Sequence, residues 1–145
     1  LPRFDGCHYE ESAILDYTGT TDIQYYDLDW AEEWQRGVGS TSAVNNFNVN
    51  PQFKEHVRKK AVNVTTLDKL IDKYDVKHID YLKLDIEGME WAILEDYTWE
   101  IKPKKIKCEW IHWAGHGAKL EKYVNMLEHM GYKVTMLEED FIAEL

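Results

Sequence analysis

A chain of 145 residues, 44% apolar and 30% charged, is long enough to bury a core and too apolar to stay disordered. Its formal net charge of −10, from 27 acidic against 17 basic residues, repels phosphate backbones and excludes nucleic acid as the natural partner. No apolar stretch nears the roughly 20 residues that span a bilayer, the first residues lack the order of a signal peptide, and Cys7 and Cys108 are too few for a disulfide framework or a zinc site. The expectation is one domain over residues 1–145, cytoplasmic, with no membrane contact.

Taken in chain order, residues 13–16 and 23–28 read as strands joined by a hairpin-like turn at Tyr17-Thr18-Gly19-Thr20. Residues 37–52 are small and polar with no period, which predicts a long loop of the kind that is often functional. Residues 53–60, after Pro51, read as a short basic helix and 61–64 as a strand. Thr65 or Thr66 is placed to cap a helix over 67–74, whose Leu67, Leu70 and Ile71 share one face. A strand over 79–85, a helix over 88–97 and a strand over 106–113 follow. A helix over 118–130 carries Leu120, Tyr123, Val124 and Leu127 on one stripe and stops at Gly131, before a last strand over 133–137. Helices alternating with short apolar strands predict an α/β sheet with parallel pairing.

The chemistry is densest in Y-L-K-L-D-I-E-G-M-E-W-A-I-L, residues 81–94. Asp85 and Glu87 fall at the carboxyl end of an apolar strand, where open α/β sheets place their ligand sites. A carboxylate there can take a proton from a substrate hydroxyl. Glu87 can equally stabilise the start of the next helix, and Asp85 can bond neighbouring backbone. Glu90 reads as a residue that faces solvent or supports the loop. In the strand over 106–113, alternation puts Glu109, Ile111 and Trp113 on one face and Cys108, Trp110 and His112 on the other. A glutamate inside a strand needs a partner, and an imidazole at 112 offers a second base. The candidate catalytic residues are therefore Asp85, Glu87, Glu109 and His112. His112 and His116 have metal-ligand spacing only on a helix, which Gly115 and Gly117 oppose; Asp85 and Glu109 added to them would make a mixed nitrogen and oxygen site, but no metal is expected. Cys108 reads as a small apolar filler. The tryptophans, Trp34 among them, read mostly as packing residues.

Val64-Thr65-Thr66-Leu67-Asp68, followed by Ile79-Asp80-Tyr81-Leu82-Lys83-Leu84-Asp85-Ile86-Glu87-Gly88-Met89-Glu90, resembles the "T-L-D … I-D-x-L-K-x-D-x-E-G-x-E" signature of the FkbM-type methyltransferases. Lys102-Pro103 through Glu109, and Met130-Gly131-Tyr132-Lys133-Val134, resemble the family's next strand and closing element, so the likeness runs from about residue 11 to 134. It implies a Rossmann-like methyltransferase sheet, mostly parallel with helices on both faces. It further implies S-adenosylmethionine as cofactor and methyl transfer to a hydroxyl of a small molecule, sugar or glycan. Asp85 and Glu87 match acidic positions of the signature, and a glutamate is common at the position of Glu109.

The same likeness implies a glycine-rich cofactor turn after a first strand. Neither Gly37-x-Gly39 nor Gly115-x-Gly117 follows an apolar strand and opens a helix as such a turn must. The expectation is the C-terminal portion of such a domain, incomplete at its N-terminal side, with no cofactor-binding residue identifiable. Its strand over 79–85 would then show an apolar edge to be covered by a second copy or a partner chain. The alternative is a non-catalytic binding or assembly module completed by a partner.

Overall fold

The computed structural model describes residues 4–33, 39–41, 51–113 and 118–145. The strands are β1 (Ser12–Ile14), β2 (Gly19–Tyr26), β3 (Gly39–Ser40), β4 (Val57–Thr65), β5 (Tyr81–Leu84), β6 (Lys105–Glu109), β7 (Lys133–Met136) and β8 (Asp140–Glu144). The helices are α1 (Leu67–Lys73), α2 (Glu90–Asp96) and α3 (Leu120–His129), with a 3₁₀ turn over Pro51–His56. No helix among the described residues is long and apolar enough to cross a membrane.

The strands form two four-stranded mixed sheets, ordered β1-β4-β2-β3 and β5-β6-β8-β7. Among the described residues only β1 with β4 and β5 with β6 pair parallel; the other pairs are antiparallel. The expected Rossmann-like sheet, mostly parallel with helices on both faces, is thus overturned. Two local causes can be named. A three-residue connection from β7 to β8 allows only an antiparallel pair, and β8 then inserts between β7 and β6. The second cause is polarity. Across the second sheet Leu84, Cys108 and Phe141 stand in register, as do Leu82, Ile106 and Ala143, and most of these are fully buried. Lys83, Lys105 and Lys107 alternate with them and point the other way, toward Asp85, Glu144 and Asp140. A sheet covered by helices on both sides needs two apolar faces; this one has one.

Other expectations shift in smaller ways. β1 and β2 are not a hairpin, because they lie on opposite sides of β4. The basic run Arg58-Lys59-Lys60 is strand rather than helix, since β2 offers a ladder from Tyr26↔Val57 to Gly19↔Val64. The edge expected of the strand over 79–85 is present. β5 stands at an edge of its sheet. The loop expected over 37–52 lies mostly outside the described residues, as do Trp34, Gly37, Gly115, His116 and Gly117.

Packing joins the sheets. The main core gathers Leu84, Ile93, Leu94, Ile106, Trp113, Leu127 and Phe141, and Ile14 of β1 packs against it. Trp113 meets Phe141 and Tyr123 edge to face, with centroids 6.1 and 5.2 Å apart. Thr66 caps α1 as expected, its hydroxyl accepting from Lys69 N at 3.3 Å. Gly131, at φ +100°, lets the chain leave α3 in a conformation that a side chain would strain. Thr66→Ala is expected to lower stability by about 1 kcal/mol, read as a drop in the urea midpoint at constant slope; no drop would show the cap to be idle.

Candidate functional site

The turn between β5 and α2 is the most constrained piece of backbone near the candidate residues. Glu87 takes a left-handed conformation at φ 62°, uncommon for a residue with a Cβ, and Gly88 follows at φ 111°. The turn closes on Glu90, which is completely buried. Its carboxylate accepts from Ile86 N at 2.6 Å, from Gly88 N at 3.1 and 3.3 Å, and from Trp113 Nε1 at 3.0 Å. Of the two readings of Glu90, solvent-facing fails and loop support holds. Trp113 couples this turn to the one that follows β6, because Trp113 N also bonds Trp110 O at 3.0 Å.

That second turn corrects the reading of strand 106–113. Regular alternation ends at Glu109, Ile111 is exposed, and Trp113 points into the core. The chain turns back and carries His112 to Glu87, Nε2 to Oε2 at 3.6 Å. One ligand-capable atom each of Glu87, Glu109 and His112 lies within 4.8 Å of the others. Three of the four predicted residues therefore meet. Asp85 does not join the three: its carboxylate is held by Lys83 Nζ at 2.6 Å and is 41% exposed.

The first sheet contributes two residues that the sequence reading missed. Ser40, on β3 and 1% exposed, donates its hydroxyl to the Glu87 carbonyl at 3.0 Å. Tyr26, buried at the end of β2, has its phenol pushed up by burial first and by the Glu87 charge second. No local pattern marks either one, because both reach Glu87 through long-range contact. Glu90 did carry a signal, as an acid at the start of an apolar helix directly after Glu-Gly.

The electrostatics are those of crowded acids. Burial, opposed by the His112 charge, raises the Glu87 carboxyl above its usual range, and Asp85 and Glu90 raise it further. Glu109 is pushed up to about 7, chiefly by burial and then by the charges of Asp85, Glu87, Glu90 and Asp140. Its Oε2 is buried and has no hydrogen-bond partner among the described residues. Cys108 beside it is buried, its thiol driven upward by burial, so it fills space as expected.

A pH dependence follows. The folded protein holds the Glu109 proton up to about pH 7, whereas the unfolded chain releases it near 4.5. Folding therefore binds more protons in that window, and this contribution is fully present below 4.5 and lost as pH rises through 7. The loss is about 1–2 kcal/mol, discounted because the side chain is only partly buried. Urea unfolding of the metal-free chain across that range measures it; stability rising steadily to pH 7 would contradict it.

Cavities of about 620, 290 and 230 Å³ border other residues, and none of the three is lined by Asp85, Glu87, Glu109 or His112. The larger one runs along Glu10, Ser12, Thr20, Ile23, Lys60 and Val62.

Acids and an imidazole gather at the carboxyl ends of two adjacent parallel strands, β5 and β6. The match to known families is specific. The chain belongs to the methyltransferase FkbM domain family, whose model matches residues 11–134. A methyltransferase function, at that level of description, follows from this membership. No curated protein and no solved structure matches the chain.

The turn over 85–89 does not fit a cradle for S-adenosylmethionine. The turn over 85–89 leads from a strand to a helix, but its Ile86 and Gly88 N–H groups are already taken by Glu90. Backbone donors that hold an internal carboxylate are not free for a ligand's.

Proposed function

We propose that the protein is an O-methyltransferase that uses S-adenosylmethionine and acts on a hydroxyl of a sugar or glycan, with these residues forming the acceptor side. S-adenosylmethionine would supply the methyl group when bound. The supporting observation is the meeting of Glu87, Glu109 and His112 at the ends of β5 and β6, with one buried Glu109 oxygen lacking a partner among the described residues. An acceptor hydroxyl placed there would donate to that oxygen and lose its proton as it reacts. His112 would steady Glu87 across 3.6 Å, and Asp85, tied to Lys83, would face the acceptor from the exposed rim. Holding the acceptor in line contributes as much as the proton transfer does.

A second reading, a non-catalytic module that binds or assembles with a partner, is favoured by the turn whose amides Glu90 has taken. The two part on one measurement. Transfer of a labelled methyl group from S-adenosylmethionine to a panel of sugar hydroxyls supports the enzyme. Absence both of transfer and of heat on calorimetric titration with the cofactor would leave the module.

A further inference from the structure

We propose that Glu87, Glu109 and His112 bind a divalent cation of the first transition row, such as Mn²⁺ or Zn²⁺. Two carboxylates and one imidazole form the mixed oxygen and nitrogen donor set such ions accept, whereas Ca²⁺ needs six or more oxygens. The geometry is close to that of a bound set. Ligands about 2.1 Å from a tetrahedral ion are about 3.4 Å apart, and Glu87 Oε2 and His112 Nε2 already stand at 3.6 Å. The third donor lies within 4.8 Å of both, so a side-chain adjustment of about 1 Å completes the set.

The surroundings single out these three groups. Neighbouring acids have partners: Asp85 has Lys83, Asp140 has Lys107, and Glu90 has three protein donors. Among the described residues no lysine or arginine pairs with Glu87 or Glu109. A buried oxygen of Glu109 has no hydrogen bond among the described residues, although a buried polar atom normally has one. A cation would satisfy it and offset the repulsion between the two acids. The backbone is also set in advance, since the left-handed Glu87 is fixed from behind by Ser40.

Three protein ligands leave coordination positions open, as in catalytic rather than structural sites. The role of the ion rests on the proposed methyl transfer: it would bind the acceptor hydroxyl and make it more acidic, with Glu109 then a ligand in place of a proton acceptor and the proton released to solvent water. Binding itself does not rest on that reading.

The test is titration of the full 145-residue chain with Mn²⁺, followed by electron paramagnetic resonance and calorimetry. One saturable site is expected. Glu109→Gln and His112→Asn should each weaken it at least about 10-fold, the loss that even outer partners of a metal produce. Glu95→Gln, whose carboxylate lies elsewhere against Lys122 and Tyr123, should leave it unchanged. Thermal melts of each variant establish that it is folded. No saturable binding at millimolar Mn²⁺, or binding that survives both substitutions, overturns the inference. Saturable binding without methyl transfer would remove only the proposed function. Transfer that continues undiminished in chelator, with no binding, would remove only the metal.

Discussion

Glu90→Ala is expected to destabilise the protein by about 3–5 kcal/mol, the range for breaking a buried charged network. The substitution strips three donors of their acceptor at once: Ile86 N, Gly88 N and the Trp113 indole. Each buried donor left unpaired costs about 1–3 kcal/mol. Against a typical total of 5–15 kcal/mol this is a large fraction, and the melting temperature should fall by about 10–20 °C. Thermal and urea unfolding measure it directly. Glu90→Gln keeps the bulk and one carbonyl acceptor, so it should fall between. A loss under about 1 kcal/mol for the alanine variant would mean that the turn is held by its flanking elements and not by Glu90.

Glu109→Gln is expected to do the reverse to stability while abolishing most activity. Methyl transfer should drop about 10²–10⁴-fold, the usual contribution of a positioned proton acceptor. At pH 8 the variant should be more stable than the parent by about 1–2 kcal/mol, because a crowded and partly buried charge has gone. Well below pH 4.5, where Glu109 is protonated in both folded and unfolded chains, the difference should vanish. Most substitutions destabilise, so a gain confined to high pH is a signature that general loss of packing does not produce. Unchanged transfer would remove Glu109 from the acceptor site, and a variant less stable at every pH would make it a structural residue.

What the sequence made legible was local. The helix cap at Thr66, the stripe of α3, the stop at Gly131 and the motif acids all lie within a few residues of the signals that mark them. The family was legible too, because the signature around Asp85-x-Glu87-Gly88 is contiguous. The sheets were not, because pairing is long-range. β8 follows Glu138-Glu139 and was not anticipated as a strand, yet Phe141 and Ala143 are among the most buried residues. The clue to a one-faced sheet was visible in Lys83, Lys105 and Lys107 at strand period, but the alternation of helix and strand outweighed it. At the site, Asp85 holds the first acidic position of the motif, and the structure ties its carboxylate to Lys83 at the exposed rim. His112 was placed by strand alternation on the face opposite Glu109, and the turn at 110–113 brings it round.

Ser40 and Tyr26 come from the first sheet, Glu90 from α2 and Trp113 from the turn after β6, yet all four bear on the short turn that carries Glu87. Transplanting the motif letters alone into a foreign scaffold would therefore move the acids without their chemistry. Substitutions that loosen the seam between the two sheets should retune these acids even when they lie far from them in the chain.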